Sequence, residues 1–281
     1  MSAPLLMGAV AYDPKVVTIW EGFRTWFREQ GLPFDFILYS HYERQVEDLI
    51  AGRIHAAWNS PLAWIRSVRL ATAHDVKVRS TVMRDTDQDL TSVIVVRSDS
   101  PCTSLADLTG QTVAVGAIDS PQATLIPLSH LRASSAQVRP RRFDIGVGLH
   151  GDHVGGERDA ARALMAGQVA AACMIDGNHL LFTQEGTLPV GGTRILSQTT
   201  LFDHCTMAIT DSAPAHLADR FVELLLAMSY DDPRVRPLLD LEGLTQWRVG
   251  RTSGFGPLTA AVDESGFYDP AGKVTMPGYE P

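Results

Sequence analysis

The regular alternation of strand-like and helical runs is the feature that most limits the fold of this chain. Short apolar runs rich in β-branched residues are followed, repeatedly, by stretches with the apolar spacing of an amphipathic helix. Two of the helical stretches stop at Gly31 and Gly52, and glycine is common directly after a helix. The predicted strands are Leu5–Val10, Phe34–Tyr39, 54–58, 76–83 and 91–96, and the predicted helices are 16–30, 42–51 and 60–71. This order predicts an α/β protein with mostly parallel sheets covered by helices.

A weak internal similarity bears on how the 281 residues are divided. Residues 164–173 resemble residues 49–58, since each segment reads as the end of a helix, a glycine and then a buried strand. The length suits either one large α/β domain or two lobes of similar construction. Because every α/β protein repeats such helix–glycine–strand units, the similarity alone leaves both arrangements open.

Composition and charge exclude several classes of protein. The chain has 24 Lys and Arg against 32 Asp and Glu, a formal net charge of −8, and its densest basic run is 139–142. A duplex nucleic-acid binder needs a basic face, so we expect no nucleic-acid partner and interpret the basic run as a solvated loop. A membrane-spanning helix needs about 20 consecutive apolar residues, and the longest apolar runs are far shorter. We therefore expect no insertion into a membrane.

Cysteine usage and the first residues bear on the cellular compartment. The three cysteines, Cys102, Cys173 and Cys205, show no paired spacing, which argues against a disulfide framework. The residues before the first predicted strand lack the basic and apolar pattern of a secretory leader. As the sequence stands, it predicts a cytoplasmic protein, and removal of a leader upstream of the first residue would instead make the protein periplasmic.

Three junctions between a strand and a helix share one pattern. Residues 12–14, 59–61 and 119–121 each carry an Asp or Ser that can cap a helix, followed by a proline suited to the first turn. A fourth strand end runs into Asp176 and His179. In α/β sheets ligands bind at the carboxyl ends of strands, where helix N-termini attract anions. The pattern predicts one shared cleft, although Asp176 can equally serve as a helix cap alone.

A glycine-rich segment at 143–159 raises the question of a metal ion. Histidine and carboxylate side chains are common metal ligands, but a His-x-x-His pair on a loop is weak evidence for a site. Hydrogen bonding to an organic ligand and plain solvation of the loop are the alternatives. We expect no cofactor. If a metal ion does bind, the candidate ligands are His150, His153, Glu157, His179 and His204.

Five segments spread over most of the chain resemble one family. They are GRIHAAWNSPLAW at 52–64, SVIVVRSDS at 92–100, SLADLTGQTVA at 104–114, SPQATLIP at 120–127 and ERDAARALMAGQVAAACMID at 157–176. Through them the chain resembles the phosphate/phosphonate-binding family of periplasmic solute receptors, as a leaderless variant. The resemblance implies the type 2 periplasmic-binding-protein fold, in which two α/β lobes are joined by a hinge of two crossing strands. It assigns residues 1–98 and 205–281 to lobe 1 and 99–204 to lobe 2, with crossings near 96–99 and 204–208 and a ligand cleft between the lobes.

The resemblance and the strand-end pattern together name candidate ligand contacts. These are Tyr12, Asn59, Ser60, Thr91, Ser92, Asp119, Ser120, Gln122, Ala123, Thr124, His153, Arg158, Asp176 and His179. The family typically has a cluster of hydroxyl side chains where this chain has Asp119, and often a histidine where this chain has Glu157. Added carboxylates disfavour a simple dianion and suit a zwitterion, a protonated oxyanion or a cation-bearing molecule.

Two functions follow from this resemblance. The first is a small-molecule receptor of the ABC-transporter type that closes by hinge motion, with a permease as partner if the protein is exported. The alternative is a cytoplasmic enzyme, a lyase or a metal-dependent enzyme, similar to chorismate dehydratase-like or pyrimidine-precursor synthase-like proteins. Asp176 and His179 would be its acid–base pair. The sequence has no Gly-x-Ser-x-Gly, Walker or His-Glu-x-x-His motif, so catalytic residues stay unknown.

Overall fold

The computed structural model describes residues 3–144 and 153–280 and contains every strand and helix predicted above, with ends shifted by two residues or fewer. The strands are β1 (Leu5–Val10), β2 (Phe34–Tyr39), β3 (Ala56–Asn59), β4 (Val78–Arg84), β5 (Ser92–Arg97), β6 (Thr112–Val115), β7 (Arg139–Arg142), β8 (Ala171–Ile175), β9 (Thr193–Gln198), β10 (Thr206–Thr210) and β11 (Trp247–Val249). The helices are α1 (Lys15–Glu29), α2 (Tyr42–Ile50), α3 (Pro61–Ala73), α4 (Ile126–Ala133), α5 (His153–Met165), α6 (Asp176–Gln184), α7 (Ala215–Ala227), α8 (Arg236–Glu242) and α9 (Gly256–Ser265). A π-type turn at Pro121–Leu125 leads into α4.

The strands form two sheets. The six-stranded first sheet has the order β11-β4-β10-β3-β1-β2, and the five-stranded second sheet has the order β7-β6-β8-β5-β9. In the first sheet β1 is parallel to β2 and β3, with Met7 opposite Phe36 on one side and Ala56 on the other. In the second sheet β6 is parallel to β7 and β8.

The α/β prediction is confirmed, but both sheets are mixed rather than mostly parallel. Strand β10 runs antiparallel to β3 and β4, and β5 runs antiparallel to β8 and β9. The physical reason is that β5 and β10 are the first strands that the chain forms after it passes from one sheet to the other. Each arrives from the opposite direction and so runs against its neighbours. The part of the molecule built around each sheet is called a half below.

Two connecting segments carry the chain between the sheets. The first runs from the end of β4 at Arg84 to the start of β5 at Ser92, and the second joins β9 to β10. Leu90 and Phe202 form an antiparallel bridge between these segments, with N–O distances of 2.9 and 2.8 Å. Because β5 belongs to the second sheet, the sheets divide before residue 92, earlier than the predicted boundary at 98. The boundary of the lobes themselves stays a prediction.

Aromatic side chains hold α1 and α7 against the first sheet. The ring of Phe27 lies 4.7 Å from that of Phe34 and 5.1 Å from that of Phe221, centroid to centroid. All three side chains are buried, and burying such a side chain contributes roughly 1.5–3 kcal/mol. The first sheet is therefore a firmly packed support for the residues at its edge.

A second apolar cluster joins the two halves of the molecule. It contains Ile118 and Ile126, which follow β6, together with Leu258 of α9 and Tyr268 of the C-terminal segment. Helix α9 and the residues after it thus pack against both halves. Among residues 3–144 and 153–280, none of the helices has the length and apolar character that crossing a membrane requires.

Candidate functional site

A pocket of about 330 Å³ lies between the two halves, within the usual size of small-molecule sites, about 300–1,000 Å³. First residues of helical segments from both halves line it: Lys15 of α1, Tyr42 of α2, Pro61 of α3, Pro121 of the π-type turn and His153 of α5. Helix N-termini carry partial positive charge and backbone N–H groups without intrahelical partners. This part of the pocket is suited to an anionic or hydrogen-bond-accepting group.

Capping side chains explain why helices begin at the pocket. The hydroxyl of Ser60 accepts the backbone N–H of Ala63 at 3.2 Å, and that of Ser120 accepts the N–H of Ala123 at 3.1 Å. At the third junction the carboxylate of Asp13 accepts the N–H two residues further on, at 2.8 Å. In the first two cases the proline after the cap is the first helical residue, as expected at a helix start, whereas Pro14 directly precedes the first residue of α1. The three junctions found in the sequence all contribute residues to this one pocket.

Aromatic rings form much of the remaining wall. They belong to Tyr12, Tyr42, Trp58, Tyr268 and Tyr279. Burial, with the nearby carboxylate of Glu242, raises the pKa of Tyr12 to about 12. Burial also raises the pKa values of Tyr42 and Tyr268 well above the ordinary value. At neutral pH these phenols are therefore uncharged and can donate hydrogen bonds.

Two buried carboxylates line the pocket from opposite halves. Glu43 at the start of α2 and Asp119 after β6 are each 4% exposed. Tyr279 donates its hydroxyl to Oε1 of Glu43 at 2.8 Å, and Tyr268 lies at 3.4 Å from the same oxygen. Nε2 of His153 lies 3.4 Å from Oδ1 of Asp119. A carboxylate held among phenols in this way can accept a further hydrogen bond from a cationic group.

The half-buried arginine of the pocket, Arg84, is already matched by carboxylates. Arg84 contacts Asp87 through Nε at 2.6 Å and Nη2 at 2.9 Å, and its Nη1 lies 3.5 Å from Glu242. The guanidinium also lies over the ring of Trp58. Arg84 holds the pKa of Asp87 well below its usual range, whereas burial raises the pKa of Glu242 to about 7. The positive charge of Arg84 is thus largely balanced before any ligand arrives.

The charge of the pocket follows from these pairings. Its charged lining residues besides histidine are Asp13, Glu43, Asp119, Lys15 and Arg84. With Arg84 neutralised by its own partners, carboxylates outnumber the remaining cation. A molecule with a positive group could form charge-assisted hydrogen bonds with carboxylates of this kind.

Part of the predicted ligand-contact set lies at the pocket. Tyr12, Ser60, Asp119, Gln122 and His153 line it, and so does His204, named above as a candidate metal ligand. Four other predicted residues lie in the same segments without being among its lining residues, and these are Asn59, Ser120, Ala123 and Thr124, while Ser92 lies behind the pocket at the start of β5.

The buried neighbours of the lining residues have structural hydrogen bonds. The amide of Asn59 donates to the hydroxyl of Ser67 at 3.0 Å and accepts Nε2 of Gln45 at 2.9 Å. Ser92 donates its hydroxyl to the backbone oxygen of Gln122 at 2.5 Å. These contacts anchor the pocket segments in the core.

The remaining predicted residues lie around the second sheet, outside the set that lines the pocket. Asp176 accepts the hydroxyl of Thr91 at 2.9 Å, and Nε2 of His179 lies 3.1 Å from the hydroxyl of Thr193. Arg158 donates through Nε to Glu185 at 2.6 Å. Asp176 and His179 thus bind different partners, so their arrangement gives no support to the acid–base pair of the enzyme hypothesis.

Sequence reasoning missed several lining residues, among them Tyr42, Glu43, Arg84, Tyr268 and Tyr279. Tyr42 and Glu43 follow β2 at another strand-to-helix junction, and this junction lacks the cap–proline pattern because it contains no proline. The two C-terminal tyrosines belong to an irregular segment, whose path across the pocket no local pattern encodes.

The described candidate metal ligands do not form one cluster, because they contact different partners. Glu157 accepts three N–H donors and His179 contacts Thr193, while His150 lies outside the described residues. In the part of the chain that the structure describes, one group of three could hold a metal ion: Asp87, His204 and Cys205, whose ligand atoms lie within 4.8 Å of one another. The guanidinium bound to Asp87 opposes a cation at this group.

The same three residues do not form a catalytic triad. Nδ1 of His204 is the atom that lies 3.6 Å from Asp87 and also 3.2 Å from Sγ of Cys205. A triad needs both ring nitrogens, one for the carboxylate and one for the nucleophile. Burial also raises the pKa of the Cys205 thiol well above its ordinary value, which disfavours the thiolate.

Comparison with known proteins identifies the family of the chain. Residues 8–254 match the sequence profile of a family described as the periplasmic substrate-binding protein of phosphonate ABC transporters. The chain belongs to this family. Its members are substrate-binding receptors, so the chain is a solute-binding protein of the ABC-transporter type. Among curated proteins, none matches the chain.

Solved structures show the same fold over nearly the whole receptor. PhnD1 from Prochlorococcus marinus, in complex with methylphosphonate, is 14% identical with a TM-score of 0.63, and the match covers 92% of this chain and 97% of that one. XAC2383 from Xanthomonas citri, bound to ATP, is 16% identical with a TM-score of 0.68, covering 94% and 98%. The periplasmic aliphatic sulphonate binding protein SsuA from Escherichia coli is 15% identical with a TM-score of 0.57, covering 100% and 94%. At these identities the likeness establishes the type 2 periplasmic-binding-protein fold alone.

Proposed function

We propose that this receptor encloses a small zwitterion, a molecule with a phosphonate-like anionic end and a cationic end. The family description and the methylphosphonate named for PhnD1 support the anionic end. So do the starts of α3 and of the π-type turn, where Ser60 and Gln122 line the pocket. Backbone N–H groups at helix N-termini are well suited to tetrahedral oxyanions.

The observation that carries the cationic end is the pair of buried carboxylates, Glu43 and Asp119, on opposite sides of the pocket. Arg84 contacts other carboxylates, Asp87 and Glu242. The ring of Tyr12 adds a surface on which a cation can be stabilised. A ligand ammonium at this side would join both halves and so favour closure of the two lobes.

Titration calorimetry with two matched ligands tests this proposal. 2-Aminoethylphosphonate and propylphosphonate have the same number of non-hydrogen atoms and differ in an ammonium against a methyl group. We expect the wild-type protein to bind the ammonium ligand about tenfold more tightly or better, since a charge-assisted hydrogen bond contributes about 1.5–3 kcal/mol. Equal binding, or a preference for propylphosphonate, would contradict the cationic end.

The Glu43→Gln variant sharpens the test. It keeps the shape of the side chain and removes its charge, so 2-aminoethylphosphonate should lose about tenfold in affinity while propylphosphonate changes little. Glu223→Gln, the same change at an exposed position of α7, is the control and should bind both ligands as the wild type does. A uniform loss for both ligands in Glu43→Gln would indicate a structural role for Glu43 instead.

We further propose that an ABC permease is the partner and that the protein works in the periplasm after removal of a leader. The description of the family supports both points. Expression of the complete gene from its natural start, followed by osmotic shock, tests the location. Recovery of the protein only with the cytoplasmic fraction would contradict it.

A further inference from the structure

The C-terminal segment, residues 266–280, follows α9 and contributes to the pocket. The match to the family profile ends at residue 254, so this segment lies beyond the part of the chain that the profile covers. Tyr268 and Tyr279 of the segment are lining residues of the pocket, and they are 3% and 5% exposed. A part of the chain outside the family profile therefore helps to enclose the pocket.

The first part of the segment has a defined backbone structure. Tyr268 and Val274 form an antiparallel bridge. The carboxylate of Asp269 accepts the backbone N–H groups of Ala271 and Lys273, each at 2.9 Å. These contacts fold this part of the segment into a small hairpin, in which the carboxylate of Asp269 stabilises the turn.

Two arginines of α3 hold this hairpin on the first half. Nη1 of Arg69 donates to the backbone oxygens of Tyr268 at 2.7 Å and of Asp269 at 3.0 Å. Nε of Arg66 donates to the backbone oxygen of Gly272 at 2.9 Å. Hydrogen bonds from a charged donor are the strong ones. Because the acceptors are backbone atoms, we expect the hairpin to stay in place when the side chain of a tyrosine in the segment is replaced.

The phenol groups of the segment lie where the two halves meet. Tyr279 donates its hydroxyl to Oε1 of Glu43 at 2.8 Å, and the hydroxyl of Tyr268 lies 3.4 Å from the same atom. Burial, and then the charges of Glu43 and Asp119, raise the pKa values of both phenols. Glu43 and Asp119 line the pocket from opposite halves. The hydroxyl ends of both rings are therefore next to the carboxylates of the pocket.

Ring packing fills the space behind these hydroxyls. The ring centroid of Phe267 lies 4.8 Å from that of Tyr279 and 4.9 Å from that of Tyr268. The three rings belong to the apolar cluster that also contains Ile118 and Ile126 of the second half. Since such packed interiors have few voids larger than a water molecule, a ligand can extend toward this side only as far as the rings allow.

We propose that the C-terminal segment is a wall that limits the length of the ligand, because the ring of Tyr279, supported by that of Phe267, blocks extension beyond Glu43. The proposal rests on the proposed function, since it takes a phosphonate as the ligand, and it deepens that function by naming what limits the organic group. The same wall favours a short spacing between the anionic and cationic ends of a zwitterion.

Two alkylphosphonates of different length test the wall by titration calorimetry. Hexylphosphonate is three methylene groups longer than propylphosphonate, and each methylene group that becomes buried contributes about fourfold in affinity. If the space of the ring admits about two of these groups, Tyr279→Ala should raise the affinity for hexylphosphonate relative to propylphosphonate by about tenfold over the wild-type ratio. An unchanged ratio would overturn the proposal.

Two control variants separate the ring from other effects. Tyr279→Phe keeps the ring and removes the hydroxyl that donates to Glu43, so its ratio should stay within about twofold of the wild-type ratio. Tyr230→Ala is the same change in a tyrosine that is not among the lining residues, and it should bind both ligands as the wild type does. A ratio in Tyr279→Phe as high as in Tyr279→Ala would overturn the proposal, because the hydroxyl would then set the length.

A crystal structure of unliganded Tyr279→Ala, compared with wild-type crystals grown in the same conditions, tests the wall without any ligand. We expect the pocket to extend continuously into the space of the missing ring. Closure of that space by neighbouring side chains, or a cavity separated from the pocket, would overturn the proposal. If urea unfolding shows that Tyr279→Ala does not fold, Tyr279→Leu, which retains more apolar contact, replaces it in both experiments with the same direction expected.

The two kinds of experiment distinguish failure of the wall from failure of the proposed function. If the wild type binds neither 2-aminoethylphosphonate nor an alkylphosphonate, the proposed function fails, and the crystal structure alone decides whether the ring of Tyr279 closes the pocket. If the wild type binds 2-aminoethylphosphonate but the variant shows no gain for hexylphosphonate, the proposed function stands and the wall is refuted.

Discussion

Removal of Arg251 should destabilise the hinge region more than its partly exposed position suggests. Its Nε lies 2.7 Å from Oδ2 of Asp203, and its Nη2 lies 2.6 Å from both Oδ1 of Asp203 and Oδ1 of Asp89. Asp203 is 1% exposed and belongs to one connecting segment between the sheets, while Asp89 belongs to the other. One guanidinium therefore holds the two segments together beside the Leu90–Phe202 bridge.

The size of the expected loss of stability depends on how deeply Asp203 is buried. Breaking a fully buried ion pair costs about 3–5 kcal/mol because one charge is left without its partner. The side chain of Arg251 is 35% exposed, so water partly replaces it, and the backbone N–H of Asp89 still donates to Asp203 at 3.2 Å. For Arg251→Met we therefore expect a loss of about 2–3 kcal/mol in the free energy of unfolding.

Urea unfolding followed by tryptophan fluorescence measures this loss, with an unchanged slope as the sign that the folded state is intact. The matched control is Arg97→Met, since Arg97 binds Asp99 with a similar forked geometry but both side chains are more exposed. The control should unfold at the wild-type midpoint. Equal midpoints for the two variants would refute the argument that burial of Asp203 makes the difference.

Two further predictions concern stability. Burial raises the pKa values of Glu157 and Glu242 from 4.5 to about 7, so the folded protein binds protons more tightly than the unfolded chain between these values. Each carboxyl should lower the free energy of unfolding by on the order of 3 kcal/mol as pH rises through this window. His55, His130 and His179, whose pKa values burial lowers, act in the opposite direction. The urea midpoint of Glu242→Gln should therefore fall less from pH 5 to 7.5 than that of the wild type, and the same pH dependence in both proteins would contradict this. At Gly254 an added Cβ would lie 2.1 Å from the carboxyl carbon of Asp203, whereas at Gly256 it meets no described heavy atom within 4 Å. In urea unfolding, Gly254→Ala should lower the free energy of unfolding by roughly 1–3 kcal/mol, and Gly256→Ala by about 0.5 kcal/mol or less. Equal losses for the two variants would show that the protein relieves the contact between the added Cβ and Asp203 at no cost.

Local patterns were sufficient to predict the elements and part of the site. Apolar runs such as Leu5–Val10 and cap–proline junctions such as Ser60–Pro61 are determined by neighbouring residues, because side-chain periodicity and helix capping act over a few residues. The expectation that these junctions meet follows from the rule that strands of one sheet end at a common edge. This is why the sequence alone predicts that Tyr12, Asp119 and Gln122 lie at the pocket.

The sequence by itself therefore determined the α/β elements, the family and the helix starts that line the cleft. Only the tertiary structure decided the mixed direction of β5 and β10, the role of Glu43 and the path of Tyr268 and Tyr279 into the pocket. It also decided that Glu157 stands behind Gln122 rather than in the cleft. These features depend on contacts between residues far apart in the chain, such as the 236 positions that separate Glu43 from Tyr279. The free energy of such contacts comes from burial and pairing in the assembled core, which no local stretch of sequence contains.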